Sequence, residues 1–369
     1  MSTDLAIFAA TSGHSGVDRV LRNLVPAIAR LGLRVDVLGV AGHGPHFEQL
    51  PEGVRHLPLG ARHVNSALPA LVRYLRRERP QAMLSDKDRV NRAALLARAL
   101  ARVPTRVGVR LGTTVSVNLA SRGAFERWVQ RSSMRWAYPA ADAVLVPSAG
   151  AADDLAAYAG LARSRIHVVP SPIITAAMSA RAREEVDHPW LQPGQAPLIL
   201  GVGELSERKD FATLLRAFAQ VRAQQPCRLL ILGEGRRREQ LLALAAELGV
   251  TADFALPGFA SNPYAWMARA AVFALSSRWE GMPVVLIEAL ALGTPSVACD
   301  CPSGPREVLD GGRNGPLVPV GAVDALAAGL LSQLRTPTPA AQSQAAVAAY
   351  TDEGSARAYL AALGFREFQ

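Results

Sequence analysis

The chain has 369 residues, half of them apolar, 6% aromatic and 19% charged, a balance that excludes disordered and collagen-like chains and disulfide-dense scaffolds. At roughly 100–200 residues per domain, this length predicts two domains with separate cores. The net charge of +9 is uneven: residues 1–170 hold 23 basic and 12 acidic side chains, a surplus of 11, and residues 171–369 hold 17 and 19, so the first half is expected to face an anionic partner.

Short apolar runs alternate with helical patterns along the whole chain, the signature of βα units on parallel sheets. In the first half the runs at 5–9, 34–39, 54–59, 81–85, 106–110, 143–147 and 166–169 read as strands; in the second, those at 198–202, 228–232, 254–256, 272–276, 296–299 and 317–319 do. The fold class is therefore α/β, with two Rossmann-like halves. The first domain is expected over 1–170 and the second over 171–345. A proline-bounded connection lies between Pro170 and Pro197, and a last amphipathic segment, 346–369, is expected to pack back on the first domain. Parallel sheets bind ligands at the carboxyl ends of their strands, so two such domains facing each other across a cleft would place their functional residues just after strands.

Three cysteines, Cys227, Cys299 and Cys301, have neither the number for a disulfide framework nor a metal-ligand spacing. No window holds the 18 or so uncharged apolar residues of a membrane span, and Asp4 stands where a signal peptide would be basic, so a cytoplasmic chain is expected. Of the 40 basic residues only Lys87 and Lys209 are lysines; a lysine kept in so arginine-rich a chain marks a place for a compact ammonium.

The first strand runs into a turn with Gly13, His14 and Gly16, and Gly16 begins an amphipathic helix. A glycine at a helix start lets a phosphate approach the unpaired amides, although the spacing fails the dinucleotide pattern G-x-G-x-x-G. The second half opens with a strand ending at Gly203 and a polar turn carrying Arg208 and Lys209, two cations suited to a diphosphate. In RWEGMPVVLIEALALGTP, Glu280 and Glu288 are eight apart around a Gly281-Met282-Pro283 turn, with a hydrophobic helix starting near Pro283. A carboxylate inside such a helix is costly unless it is hydrogen-bonded, and a ribose diol is a suitable partner for Glu288.

These motifs, with Leu-Gly-Glu-Gly at 232–235, Leu-Pro-Gly-Phe at 256–259 and Asn-Pro-Tyr at 262–264, resemble the retaining glycosyltransferases of family four, the glycosyl transferases group 1, whose fold is GT-B. The resemblance covers about residues 197–325 closely and the first domain more thinly. It implies that Gly16 approaches the donor phosphates, Lys209 binds the diphosphate, Glu280 contacts the donor sugar and Glu288 holds the ribose. It further implies that the amides of Met282 to Val284 face the leaving phosphate, that Phe259 and Ser261 lie by the base, and that Gly203, Glu234, Gly281 and Pro283 complete the donor side. Lys87, Asp88 and Asn91 fall on the acceptor side, with His14 beside them or in a solvated turn. The family's usual arginine after the glycine matching Gly203 is here Glu204, which leaves two readings: Arg208 takes over its work, or stabilisation of the leaving group is weakened.

The expected activity is retaining transfer of a sugar from a nucleotide sugar, UDP favoured over GDP, to a lipid-linked or saccharide acceptor in polysaccharide or glycolipid assembly. No cofactor and no metal are expected: Lys209, Arg208 and the helix amides would stabilise the leaving diphosphate. Asp86 and Asp88 form the Asp-x-Asp of the rival GT-A fold and would hold Mg²⁺ or Mn²⁺ in that reading. A non-catalytic nucleotide-sugar binder and a hydrolase or epimerase acting on the same donor are the other readings; a nucleic-acid partner lacks a motif. The segment AFERWVQRSSMRWAYPAA, with Phe125, Trp128, Val129 and Trp136 beside Arg127, Arg131 and Arg135, suits an anionic membrane surface and a buried core equally, leaving open a peripheral position on the inner face of the cytoplasmic membrane.

Overall fold

Thirteen strands form two all-parallel sheets in a computed structural model that describes residues 3–11, 16–47, 49–120 and 122–368. In the first sheet the strands are β1 (Leu5–Ala9), β2 (Val35–Gly39), β3 (Val54–Pro58), β4 (Ala82–Asp86), β5 (Arg106–Arg110), β6 (Ala143–Val146) and β7 (Ile166–Val168). They pair in the order β3-β2-β1-β4-β5-β6-β7. In the second they are β8 (Leu198–Val202), β9 (Arg228–Leu232), β10 (Phe254–Gly258), β11 (Val272–Leu275), β12 (Ser296–Cys299) and β13 (Leu317–Val318), ordered β10-β9-β8-β11-β12-β13. Each strand lies where its apolar run predicts it, with ends shifted by at most two residues.

Burial explains why the inner runs are continuous, whereas the edge strands β3 and β7 are buried only at Val54 and Ile166 and keep polar residues. Ala6 and Phe8 of β1 enter one apolar cluster with Leu38, Met83 and Val107, while Leu5, Ile7 and Ala9 enter another with Val35, Leu84 and Leu145. A strand covered on both faces has no solvent side on which to place polar residues.

One unit runs to Ile173 and includes the segment from Tyr350 on; the other is Ile174–Ala349. The proline-bounded stretch expected to be a connection is thus mostly built into the second unit. It forms the helix Ala176–Ala182, which buries Met178 and Ala182 and whose Arg181 donates to the Ser261 carbonyl at 2.6 Å. The last helix, Asp352–Leu363, capped by the Thr351 hydroxyl, buries Tyr359, Leu360 and Leu363 in the first unit beside the helix Gly16–Arg30. Arg110 on β5 donates from Nε to the Tyr359 hydroxyl at 2.7 Å, tying that helix to the sheet.

In each unit the strand order reverses beside the first strand of the sheet, between β1 and β4 and between β8 and β11. Open parallel sheets present their ligand crevices at such a reversal, beyond the carboxyl ends of the strands. The loops after β8 and β11 carry Gly203–Asp210 and Ser276–Glu280; the loop after β4 carries Lys87.

Candidate functional site

The turn after β8 is built around two glycines. Gly203 has φ +154°, and a Cβ there would stand 2.6 Å from Lys209 Cε. At Gly233, after β9, φ is +145° and a Cβ would lie 1.9 Å from the Gly203 carbonyl oxygen. Only residues without a side chain allow the two turns to approach so closely while Lys209 crosses over the first. The Gly203 amide donates to the Leu232 carbonyl and the Leu205 amide to the Glu234 carbonyl, stitching the turns together. The far end is fixed by Ser276, whose hydroxyl donates to the Lys209 carbonyl at 2.8 Å, and by Arg278, paired with Asp210 at 3.0 Å.

This framework delivers Lys209 to Glu280. Glu280 Oε1 accepts from Lys209 Nζ and from the Ser277 hydroxyl, each at 2.7 Å, and Oε2 accepts from Arg208 Nη1 at 2.7 Å. The side chains of Lys209 and Glu280 are only 7% and 5% exposed, whereas Arg208 is 35% exposed. A compact cluster of two cations, one carboxylate and one hydroxyl therefore lies at the sheet's reversal point, with net charge +1. Its neighbour Cys301 has a thiol pushed up to about 12 by burial and by the Glu280 charge, which keeps it a neutral packing group. Glu204 is exposed and outside the cluster, and Arg208 lies inside it.

The helix after the Gly-Met-Pro turn spans Val284–Ala291, with Pro283 at its N-cap. Two expectations for its amides are corrected. Pro283 has no N–H to give, and the Val284 amide folds back on the Met282 carbonyl at 2.9 Å. Among the described residues the Gly281 and Met282 amides carry no such bond. Glu288 lies inside the helix and is 1% exposed, deeper than Glu280. The turns after β9 and β10 border a cavity of about 420 Å³ that includes Leu232, Gly258, Phe259 and Ser261; Phe259 is 79% exposed, and Glu234 is exposed beside Gly258.

In the first unit, Gly16 is the first residue of its helix, while Gly13 and His14 lie outside the described residues. Lys87 and Asp88 line a cavity of about 330 Å³ with Gly112, Asn118, Gln130 and Met134. Burial pushes the Asp88 carboxyl up against the opposing pull of Arg92 and Tyr138. Asn91, expected on the acceptor side, is corrected to a supporting place. It is fully buried, accepts from the Ser85 hydroxyl at 2.8 Å, and donates to the Arg110 carbonyl at 2.9 Å and to the Tyr138 hydroxyl at 3.2 Å. The Asp-x-Asp pair is likewise divided: Asp86 is buried against Arg110, and Asp88 pairs with Arg92 at 2.9 Å and accepts from the Tyr138 hydroxyl at 3.1 Å. Among the described residues no group of three or more potential metal ligands forms.

The sequence pattern exposed Lys209, Arg208, Glu280 and Glu288 but not Ser276 and Ser277, which fix the lysine's backbone and the carboxylate. Their only signal is a pair of hydroxyls directly after β11.

Comparison with known proteins adds to this geometry. Residues 15–172 match the family model for the glycosyl transferase 4-like domain, and residues 182–351 match that for glycosyl transferases group 1. The chain is 30% identical over 340 residues, 89% of its length and 90% of the relative's, to the N-acetylgalactosamine-N,N'-diacetylbacillosaminyl-diphospho-undecaprenol 4-alpha-N-acetylgalactosaminyltransferase of Campylobacter jejuni. Its fold is shared with HepE of Anabaena, solved in complex with UDP, at a TM-score of 0.77 and 18% identity over 98% of this chain and 100% of that one. It is shared also with the lipopolysaccharide outer core galactosyltransferase WaaB, at a TM-score of 0.73 and 18% identity over 98% and 99% of the two chains.

Proposed function

From the premise that the chain belongs to the glycosyl transferases group 1, we propose that it is a retaining transferase that moves a hexosyl group from a UDP-sugar to a saccharide or lipid-linked acceptor in polysaccharide or glycolipid assembly. The family membership makes it a glycosyltransferase with the GT-B fold. The observation that carries the donor assignment is the Lys209–Arg208–Ser277–Glu280 cluster at the reversal point of the second sheet. Preference for uridine is supported by the UDP bound to HepE, and the lipid-linked acceptor by the undecaprenol diphosphate in the Campylobacter relative's name.

In this reading the diphosphate of the donor takes a share of Lys209 and Arg208, and the unbonded amides of the Gly281-Met282 turn donate to the same phosphate. Glu280, released in part from the cations, turns to the hydroxyls of the donor sugar, while Glu288 receives the ribose. The bond from the anomeric carbon to the β-phosphate oxygen breaks as the acceptor hydroxyl approaches on the same face. The departing phosphate takes the acceptor proton, so the protein supplies charge and not a base. Donors placed where negative charge develops lower the barrier because they bind the leaving group more tightly in the transition state than in the ground state. The fixed Lys209 and the more mobile Arg208 supply the charge in this reading, with no metal invoked. Phe259 and Ser261 border the base, and the cavity lined by Lys87 and Asp88 takes the acceptor.

The test is thermal-shift titration with UDP, GDP, ADP and their sugar conjugates, with and without Mg²⁺, since a ligand that binds the folded state raises its stability by RT ln(1 + [L]/Kd). A metal-independent shift with UDP, lost in Glu288→Ala, is expected. Lys209→Ala should remain folded and lose at least about a hundredfold in transfer rate. No shift with any nucleotide, or wild-type turnover in Lys209→Ala, would overturn the assignment. Release of free sugar at the transfer rate without an acceptor would make the protein a hydrolase.

A further inference from the structure

In the first unit, backbone strain and unmet polarity coincide at the cavity of about 330 Å³ beyond β4 and β5. Lys87 precedes the helix Asp88–Ala101 with φ +77° and ψ +140°, a conformation that a residue with a side chain adopts only where its surroundings impose it. Both ends of the residue are held: its amide donates to the Arg110 carbonyl at 3.3 Å, and its carbonyl accepts from the Asn91 amide at 2.9 Å. A glycine would take this conformation freely; the lysine brings a side chain, and that residue lines the cavity.

Beside it stand acceptors without donors. Asp86 is 1% exposed; its Oδ2 accepts from Arg110 Nη1, while Oδ1 is buried and has no hydrogen-bond partner among the described residues. Gln130 Oε1 is buried in the same condition, and both residues line the cavity. A buried oxygen left in this way costs free energy until a donor reaches it. The Asp86 carboxylate is not free to turn away, because its partner Arg110 is itself bonded to the Tyr359 hydroxyl at 2.7 Å. The rest of the wall is apolar: Leu111, Val115, Leu119 and Met134 are each no more than 6% exposed, and Val17 joins them. The helix Ala124–Ala137 contributes Gln130 and Met134 to the cavity and leaves Phe125, Trp128 and Trp136 exposed.

An occupant of this cavity must combine a donor for Asp86, an acceptor for Lys87 and a small apolar group for the aliphatic wall. A sugar hydroxyl supplies the first two and has no methyl to offer. A phosphate supplies acceptors alone and would lie against a carboxylate. An acetamido group carries an N–H, a carbonyl and a methyl in the fixed relation of one planar amide.

We propose that the acceptor carries an acetamido sugar and that this cavity selects it, the amide N–H donating to Asp86, the carbonyl accepting from Lys87 Nζ and the methyl packing on Val115, Leu119 and Met134. Gln130 Oε1 receives a neighbouring hydroxyl of the same ring. The proposal deepens the transferase reading and rests on it for the meaning of the cavity as the acceptor site. Asp86 and Lys87 set specificity in it and take no part in the bond exchange.

The experiment is titration of the full chain, with UDP present, with the methyl glycosides of N-acetylglucosamine, N-acetylgalactosamine, glucose and galactose, followed by saturation-transfer NMR. The UDP thermal shift is measured on the same preparations. An acetamido glycoside should bind at least about tenfold more tightly than its hydroxyl counterpart, with its methyl protons receiving the largest share of saturation. Lys87→Gly relieves the strained backbone and deletes the ammonium; it should keep the melting temperature and the UDP shift and lose the preference. Asp86→Asn presents an N–H to the amide N–H and should lose the preference as well; if it unfolds, Lys87→Gly decides alone. Equal affinity for the two classes of glycoside in the wild type would overturn the proposal, as would an unchanged preference in Lys87→Gly or failure of all four glycosides to bind while the UDP shift is intact. Loss of the UDP shift in the wild type, with acetamido binding retained, would overturn the transferase reading and leave the cavity a site for acetamido sugars.

Discussion

Glu280→Gln separates the two roles that the structure places on one side chain. The carboxylate holds Lys209, Ser277 and Arg208, each at 2.7 Å. A glutamine can keep its oxygen toward Lys209 and Ser277, but its amide nitrogen then faces the Arg208 guanidinium, donor against donor. Arg208, at 35% exposure, can turn to water; Lys209, at 7%, cannot. The dominant cost is thus one buried ammonium left beside a neutral amide, and breaking a buried pair in this way costs about 3–5 kcal/mol. Urea unfolding of the variant should register a loss of that size. UDP should then restore more stability to the variant than it adds to the wild type, because its phosphates supply the missing anion without displacing a carboxylate. Transfer should nonetheless fall by at least about a hundredfold, since the proposed contact with the donor sugar is gone. A stability loss below about 1 kcal/mol, or a UDP shift smaller than in the wild type, would refute the argument that Glu280 and the diphosphate share the same cations.

Two further outcomes concern the first unit. Asn91→Ala removes three buried hydrogen bonds and leaves the Ser85 hydroxyl only the Gly108 carbonyl at 3.4 Å and the Arg110 carbonyl only the Lys87 amide at 3.3 Å, so at about 1 kcal/mol per bond it should cost about 3 kcal/mol in urea unfolding while leaving the UDP shift unchanged. Burial raises the Asp36 carboxyl, but hydrogen bonds from Arg55, Tyr74 and Thr3 outweigh it and hold the group below its usual value. Its contribution is therefore complete above the unfolded value of about 4 and is lost as pH falls through the lower folded value. The stability difference between wild type and Asp36→Asn should shrink below about pH 4, and a constant difference down to pH 2 would contradict this assignment.

The inner strands were legible because burial on both faces of a parallel sheet thins their polar residues, so apolar runs as short as Ser296–Cys299 stand out. The loops of the candidate site were legible for a related reason: glycines and charged residues gather directly after buried strands, at the edge where such sheets bind ligands. What the sequence hid was pairing at a distance. Nothing near Glu280 announces that it closes on a lysine 71 positions earlier, and nothing near Asp86 announces Arg110. Asn91 looks like any polar residue in the first turn of a helix until Ser85 and Tyr138 enclose it. The prolines between 170 and 197 read as a linker, although Met178 and Ala182 anchor most of that stretch in the second unit. The aromatic helix was ambiguous because periodicity reveals that a stripe exists, not which side of it faces the protein.

The composition gains its meaning at Lys209. In a chain where 38 of 40 cations are arginine, a lysine occupies the one buried position that must pass over Gly203, where even a Cβ would come within 2.6 Å of its own methylenes. The slender stem fits that passage, and the ammonium reaches Glu280 as a point charge; a planar guanidinium with five donors would need more acceptors than Glu280 offers once Ser277 is bonded to it. Arg208 takes the neighbouring place, where partial exposure accommodates the larger head. The two cations thus differ in mobility, with the lysine fixed and the arginine free to follow an anion. That division suits the proposed chemistry: the fixed charge is available before the glycosidic bond weakens, and the mobile one follows the diphosphate as it gains charge.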